Sequence, residues 1–153
     1  MNNPLSNEFL FSTVSDVLVG PGTAGQLGEM ALSLGMERAL VVTDPGIIKF
    51  GLLDSGVDSL KAHNIELSLY SDVVADPPES VVMDAVAAAQ AFGCDGVIGF
   101  GGGSSMDVAK LLAVLIKGEQ PLKDIYGVDQ ITGGRLPLIQ VPTTAGTGSE
   151  ATM

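Results

Sequence analysis

The sequence predicts an α/β fold, a parallel β-sheet with helices on both faces. Short apolar segments of strand length alternate along the chain with longer segments whose apolar residues recur at helical spacing. Ala, Val, Leu and Gly are abundant and Trp is absent, a composition that suits helices packed on strands with small side chains. Because strands alternate with helices, we expect right-handed crossover connections and parallel pairing of the strands.

The first part of the chain predicts strand, helix and strand in that order. Residues 14–19 are rich in valine and end at a Gly-Pro-Gly sequence, which favours a short strand before a turn. Apolar residues at helical spacing cover residues 24–34, and Gly35 is expected to end that helix. Residues 39–42 are a continuous apolar run, which is the pattern of a parallel strand buried on both faces.

The middle of the chain predicts a helix, a strand and a loop. Helical spacing covers residues 48–62, and we expect interruptions near Gly51 and Gly56 because glycine weakens helices. Residues 65–70 follow as a strand. Residues 76–78, an aspartate before two prolines, mark a loop.

The last part of the chain predicts two further helices and two further strands. Residues 80–92 are rich in alanine and form a strong helix, and residues 96–100 form an apolar strand. A second helix is predicted over residues 104–116, followed by a polar loop over residues 122–134. Residues 136–141 are the last predicted strand.

Length, composition and charge limit the class of protein. The 153 residues, 46% apolar and 16% charged, are those of one packed domain and not of a disordered chain. The net charge of −11 gives a field that repels polyanions, which argues against nucleic acid and anionic membranes as partners. The longest clean apolar run, residues 111–116, is far too short to span a membrane. Residues 1–10 lack the pattern of a targeting signal, so a cytoplasmic location is expected.

A run of three glycines and two serines, residues 101–105, lies between a predicted strand and a predicted helix. Three consecutive glycines remove every Cβ from this turn, so backbone N–H groups can converge on a ligand at the positive end of the helix dipole. A protein with little positive charge can hold a phosphate in this way. The spacing is not that of a P-loop, so phosphoryl transfer loses its main support. The sequence therefore predicts a nucleotide-binding module.

A second glycine motif competes with the first. Residues 20–25, Gly-Pro-Gly-Thr-Ala-Gly, follow a predicted strand and fit the dinucleotide-binding pattern. Asp44 comes at the end of the next predicted strand, where such sites place an acid that binds ribose. Pro21, however, removes one donor N–H, and the same glycines equally fit an ordinary turn. The pattern alone leaves both interpretations open.

Hydroxyl groups gather after the last predicted strand, at the edge of an α/β sheet where ligands bind. Four of them fall within seven residues: Thr143, Thr144, Thr147 and Ser149. Hydroxyls in such loops also cap helices or close turns, so this pattern does not by itself identify a site.

The cysteine and the histidine of this chain do not indicate a reactive site or a metal site. Cys94 is the only cysteine, so no disulfide can form within the chain, and we expect a small buried apolar side chain and not a nucleophile. His63 is the only histidine; it lies near a predicted helix end and is expected to be solvated or to cap that helix. A lone histidine cannot make a metal site.

Two long motifs resemble the iron-containing (group III) alcohol dehydrogenase family. They are residues 101–110, GGGSSMDVAK, and residues 142–150, PTTAGTGSE, and residues 41–44 and 74–77 match in the same order. The resemblance covers essentially all 153 residues but only the N-terminal half of the family. It implies that residues 1–153 are an NAD(P)-binding, Rossmann-like domain of the dehydroquinate synthase-like type. The helical metal-binding domain of the family would then be absent from this chain.

The resemblance also implies which residues bind the cofactor. Gly102, Gly103 and Ser104 match the family's pyrophosphate loop. Asp44 matches an acid near the adenosine ribose, which would favour NAD over NADP by repelling a 2′-phosphate. Asp76 falls at a position where many relatives have Asn, and it is included in the cofactor-binding set. The residues that would line the cofactor towards the nicotinamide are Thr143, Thr144, Thr147 and Thr152.

The implied activity is hydride transfer between a small alcohol or aldehyde and NAD(P). The family's metal ligands, one Asp and three His, would lie downstream of Met153, so we expect neither metal-binding nor catalytic residues here. The divalent metal, iron or zinc, would belong to the intact protein, and this fragment alone is expected to be inactive. Apolar surface left by a missing domain leaves homo-oligomerisation open. The alternatives are a relative of glycerol dehydrogenase or maleylacetate reductase, and a free-standing nucleotide-binding module without catalysis.

Overall fold

The computed structural model describes residues 14–118, 120–127 and 130–151, and these contain a parallel sheet of four strands. The strands are β1 (Arg38–Val42), β2 (Glu66–Tyr70), β3 (Gly96–Gly101) and β4 (Leu138–Pro142). Their order across the sheet is β2-β1-β3-β4, and every pair of neighbours is parallel. The predicted parallel α/β fold is therefore confirmed.

The described part of the chain contains five α-helices, of which the first precedes β1 and the other four lie between strands. They are α1 (Leu27–Ser33), α2 (Pro45–Lys49), α3 (Asp54–Ala62), α4 (Glu79–Phe92) and α5 (Gly103–Lys117). Two 3₁₀ turns, Thr23–Gln26 and Leu122–Asp124, complete the elements. Helices α4 and α5 each agree with the predicted bounds to within one residue, because both have long, regular apolar stripes.

Both faces of the sheet are covered by helices. Leu40 and Val42 of β1 pack in one buried cluster with residues of α4 and α5, while Ala39 and Val41 pack in a second cluster with residues of α1 and α3. Every residue of β3 is buried. Side chains of a strand alternate between faces, so a strand covered on both sides must be apolar throughout. This explains the continuous apolar runs in the sequence.

Two local predictions are wrong, each because of tertiary context. Residues 14–19 form no strand: no described residue pairs with this segment, and Val17 and Val19 are 72% and 86% exposed. Gly56 does not interrupt a helix but lies buried inside α3, where a Cβ would come within 3.1 Å of Leu27 Cδ2. The loop predicted over residues 122–134 agrees with the described residues there, apart from the second 3₁₀ turn, which buries Leu122.

The break predicted near Gly51 is confirmed and shows how two short helices replace one long helix. Gly51 has a φ of 65°, in the left-handed region that glycine adopts without strain. Helix α2 ends before it at Lys49, and α3 begins after it at Asp54. Helix α2 also begins earlier than predicted, at Pro45, a residue type favoured at the first helical position.

The edge of the sheet where the strands begin is fixed by one arginine and one aspartate. The Arg38 guanidinium lies 4.5 Å from the centre of the Phe92 ring, and its Nε donates to Gly93 O at 3.2 Å, at the end of α4. The same guanidinium pairs with Glu66 at the start of β2. The Asp95 carboxylate accepts from the N–H of Arg38 at 2.9 Å. These contacts fasten α4 and the start of β3 to β1.

Helices α1 and α3 approach each other closely at Gly28. Its N–H donates to Ser59 Oγ at 3.0 Å. A Cβ on Gly28 would collide with the backbone oxygen of Ser59 and would lie 2.5 Å from His63 Nδ1. His63 is at the C-cap of α3, with its Nδ1 2.8 Å from Ser59 O, so the predicted capping role is confirmed. The two backbones can pack this closely only while residue 28 has no side chain.

We expect Gly28→Ala to lower the free energy of unfolding by about 1–3 kcal/mol, because the new methyl group must push two helix backbones apart. The matched control is Gly25→Ala, since no heavy atom lies within 4 Å of a Cβ built there. This control should unfold at the same urea concentration as the wild type or slightly above it. Equal urea midpoints for the two variants would show that the close approach at Gly28 is not a packing constraint.

Candidate functional site

A cleft of about 330 Å³ opens at the edge of the sheet where β1, β2 and β3 end. After β1 the chain passes to β2, which lies on one side of β1, and then crosses to β3, which lies on the other side of β1. Ligands of open α/β sheets bind at the carboxyl ends of strands, where the strand order reverses in this way. The residues lining the cleft are Asp44, Pro45, Val73, Val74, Ala75, Gly102, Gly103, Ser104 and Ser105.

One wall of the cleft is the start of α5. Gly102 is the N-cap residue of this helix, in an extended conformation and without a side-chain cap. The first intrahelical hydrogen bond is the one that the N–H of Met106 donates to Gly102 O at 3.2 Å. The preceding N–H groups, on residues 103–105, have no acceptor within the helix, and they lie at the positive end of its dipole. This wall can bind an anion without any cationic side chain.

Gly101 joins β3 to α5 in a conformation that only glycine adopts without strain. Its φ is 152°, and a Cβ there would lie 2.8 Å from Ser105 Oγ and 3.2 Å from Asp44 Oδ2. Backbone conformation and available space therefore both require glycine at this position. The result is that a side chain of α5 and a side chain after β1 meet beside the end of β3.

Asp44 is held in place by the helix that follows it. Its Oδ1 accepts hydrogen bonds from the N–H groups of Gly46 at 2.8 Å and Ile47 at 3.2 Å, which makes Asp44 the N-cap of α2. Its Oδ2 faces Gly101, and no described residue donates a hydrogen bond to it. The carboxylate is thus oriented by one oxygen and offers the other to the cleft.

The threonine-rich segment after β4 lies against the glycine turn. Thr143 N–H donates to Gly101 O at 2.9 Å and so extends the pairing of β4 with β3. A Cβ on Gly102 would lie 3.6 Å from Thr144 Oγ1, and one on Gly103 would lie 3.6 Å from Thr147 Cβ. The three hydroxyl residues are therefore neighbours of the turn but do not line the cleft itself.

Thr147 and Glu150 close this segment on itself. Thr147 Oγ1 donates to Glu150 Oε2 at 2.9 Å. Hydrogen bonding with the backbone, then that of Thr147, and the nearby charge of Lys110 all lower the pKa of Glu150, against a smaller opposing effect of desolvation. The carboxylate therefore stays charged at neutral pH and keeps accepting the hydrogen bond from the Thr147 hydroxyl.

The structure brings four of the nine residues that the sequence predicts for the site into one cleft, and three threonines lie beside it. Asp44, Gly102, Gly103 and Ser104 line one cleft. Asp76 does not line it: the residue is exposed, and it follows Ala75 with a φ of 48°. Thr152 lies outside the described residues.

Sequence reasoning did not assign Ser105 to the site. The residue lines the cleft and is 1% exposed, and its Oγ has no hydrogen-bond partner among the described residues. A signal existed in the helical spacing, which places residue 105 on the same face as the buried Val108, Ala109 and Leu112. An anion-binding helix end, a carboxylate and an unpaired buried hydroxyl together fit a ligand that has both phosphate and hydroxyl groups.

The competing glycine motif lies elsewhere. Residues 20–25 do not line the cleft, and Gly22, with a φ of 75°, is the N-cap residue of the first 3₁₀ turn. No strand precedes them in the described part of the chain. The interpretation of these glycines as an ordinary turn is therefore favoured.

The remaining reactive groups do not form a site. Cys94 is buried, as expected, and desolvation followed by the charge of Asp95 raises the pKa of its thiol. In the described ranges, no three His, Cys, Asp or Glu side chains are close enough to hold a metal ion. None of the helices described has the length and hydropathy needed to cross a bilayer.

Comparison with known proteins identifies relatives that match most of this chain. A sequence model described as iron-containing alcohol dehydrogenase matches residues 15–153. Sulfoacetaldehyde reductase of Bilophila wadsworthia is 36% identical over 144 residues, which make up 94% of this chain and 37% of the reductase. Long-chain-alcohol dehydrogenase 1 of Geobacillus thermodenitrificans is 41% identical over 137 residues, which make up 88% of this chain and 35% of the dehydrogenase.

Comparison of the fold with solved structures identifies relatives of the same kind. A crystal structure of a 1,3-propanediol oxidoreductase superposes with a TM-score of 0.91 at 32% identity, over 95% of this chain and 38% of that chain. This chain thus spans little more than a third of the length of the relatives it matches. Because the family's sequence pattern covers all but the first residues and the fold matches as well, the chain belongs to the iron-containing alcohol dehydrogenase family.

Proposed function

We propose that this chain is the NAD(P)-binding portion of an alcohol dehydrogenase, which transfers a hydride between a small alcohol or aldehyde and the nicotinamide. The observation that carries the proposal is the start of α5, where uncapped N–H groups open into a cleft that Asp44 also lines. Relatives named for sulfoacetaldehyde and for long-chain alcohols support alcohols and aldehydes as the substrate class.

Different residues of the cleft bind different parts of the cofactor. The N–H groups of Gly103, Ser104 and Ser105 donate to the pyrophosphate, with Gly102 leaving room for it, and the dipole of α5 favours the negative charge. The free oxygen of Asp44 accepts from a ribose hydroxyl. Its charge repels a phosphate at the same place, so the cleft prefers NAD to NADP. The bound cofactor supplies the carbon that accepts or donates the hydride.

The other predicted residues form the rest of the proposed set. Thr143, Thr144 and Thr147 lie beside the glycine turn, on the side away from Asp44, and we assign them to the part of the cofactor nearer the nicotinamide. Thr152 and Asp76 are kept as proposed contacts from the family resemblance.

The family's name implies iron, but the residues described do not fit a metal site. They offer no cluster of three or more His, Cys, Asp or Glu side chains. We therefore propose that residues 1–153 form one NAD(P)-binding domain and that iron or zinc is held by other parts of the intact enzyme. The 153-residue chain alone should bind the cofactor without transferring hydride.

Charge and surface suggest the setting of this activity. The net charge of −11 disfavours nucleic acid and anionic membranes as partners, and we place the protein in the cytoplasm. Exposed apolar side chains such as Val17, Val19 and Phe50 offer surface for a homo-oligomer.

The first test concerns the wall made by α5. We expect Gly102→Val to raise the Kd for NAD at least about tenfold, because its side chain occupies the space in front of the N–H groups. The chain should still fold, since a Cβ there meets no atom closer than Thr144 Oγ1 at 3.6 Å. Isothermal titration calorimetry gives the Kd, and a thermal melt without ligand checks the fold. Gly134→Val, outside the cleft, is the matched control; unchanged affinity in Gly102→Val would refute the assignment.

The second test concerns the choice between NAD and NADP. Asp44→Asn removes the charge but keeps a side-chain oxygen that can cap α2, so the unliganded protein should remain stable. We expect the ratio of NADP to NAD affinity to rise about tenfold or more. Asp58→Asn, an exposed residue of α3 that does not line the cleft, should leave the ratio unchanged. A wild-type chain that binds NADP more tightly than NAD would contradict the role given to Asp44.

A further inference from the structure

The Ser105 hydroxyl is buried and unpaired, and this needs a physical explanation. The residue is 1% exposed, and its Oγ has no hydrogen-bond partner among the described residues. Burying a hydroxyl without a partner costs free energy, which a ligand that supplies the partner would remove. Ser105 is also one of the residues that line the cleft, which places its hydroxyl beside the proposed position of the ligand.

Ser105 Oγ and Asp44 Oδ2 both lie close to the point where a Cβ on Gly101 would be. A Cβ on Gly101 would lie 2.8 Å from Ser105 Oγ and 3.2 Å from Asp44 Oδ2. Asp44 Oδ1 is already occupied by the N–H groups that it caps, whereas Oδ2 has no donor among the described residues. A hydrogen-bond donor from α5 and an acceptor from the end of β1 therefore flank the carboxyl end of β3.

The chemistry of this pair selects the group that it would bind. A carboxylate only accepts hydrogen bonds, and it repels a phosphate placed beside it. A hydroxyl group can donate to the carboxylate and accept from the serine at once. The pair therefore suits a sugar hydroxyl and excludes an anion.

We propose that Ser105 is a cofactor-binding residue whose Oγ donates to a ribose hydroxyl of NAD, next to the hydroxyl contact of Asp44. The proposal rests on the proposed function and adds a specificity-determining residue to it. The position of Ser105 in α5 makes the contact rigid, because the side chain is packed on the sheet side of the helix. Free of ligand, the protein bears the cost of the unpaired hydroxyl, and the cofactor removes this cost on binding.

The experiment compares Ser105→Ala with the wild-type chain on NAD and on its 2′-deoxyadenosine and 3′-deoxyadenosine analogues. We expect the variant to bind NAD about three- to tenfold more weakly, which is the effect of losing one hydrogen bond. For the analogue that lacks the bonded hydroxyl, the two proteins should bind equally. Without ligand, the variant should melt at the same temperature as the wild type or higher, because an unpaired buried hydroxyl has been removed.

Thr43→Val is the matched control. Thr43 is 0% exposed and its Oγ1 also lacks a partner among the described residues, but the residue does not line the cleft. Its valine variant should likewise melt no lower than the wild type, while its affinity for NAD should stay unchanged. Stability and affinity therefore separate the two buried hydroxyls.

Each other outcome has a defined meaning. The inference is overturned if Ser105→Ala binds NAD as tightly as the wild type, or if it loses affinity equally for NAD and both analogues, which would indicate a contact with the pyrophosphate. If the wild-type chain binds NAD and the variant gives either of these results, only this inference is overturned. A wild-type chain that fails to bind NAD overturns the proposed function together with it.

Discussion

The space beside the Cα of Gly101 is the position on which the candidate site depends. At this point β3 ends, α5 is about to begin, and the side chains of Ser105 and Asp44 occupy the volume that a Cβ would need. Any other residue would be strained by the φ of 152° and would push both side chains away. One missing methyl group thus connects the ends of two neighbouring strands and the start of a helix, and the cleft exists because these three elements meet.

The two edges of the sheet show the same kind of contact used differently. At the edge where the strands begin, the Asp95 carboxylate accepts from the N–H groups of Glu37 and Arg38, so both of its oxygens are used within the protein. At the opposite edge, the Asp44 carboxylate caps α2 with Oδ1 alone. A carboxylate with both oxygens satisfied stabilises the fold, whereas one with an oxygen left over can also bind a ligand. Of these two carboxylates, only that of Asp44 keeps an oxygen available for the proposed ligand.

The sequence predicts the features that depend on local pattern and misses those that depend on neighbours. Buried strands and long helices were predictable because apolar spacing reports the face of each element directly. The valines of residues 14–19 predict a strand, but spacing cannot say whether a partner strand is available. Gly56 suggests a break in a helix, while its actual role is to admit Leu27 against α3. Likewise, Gly102 and Gly103 belong to a motif that the sequence shows directly. That the Ser105 hydroxyl lacks a hydrogen-bond partner can be seen only in the folded structure.

The charge of the chain raises the question of how it could hold an anionic dinucleotide at all. The net charge of −11 is spread over the surface, and at physiological ionic strength its field decays over about 8 Å. Uncapped N–H groups at a helix start act over shorter distances and are therefore not cancelled by it. The charge of Asp44 then determines the orientation of the proposed ligand in the cleft. A phosphate is favoured at the start of α5 and disfavoured beside the carboxylate. In the proposed complex the sugar therefore faces Asp44 and the Ser105 hydroxyl, while the pyrophosphate faces the N–H groups at the start of α5. The acidic residue in the cleft thereby orients the proposed cofactor as well as discriminating against a phosphorylated ribose.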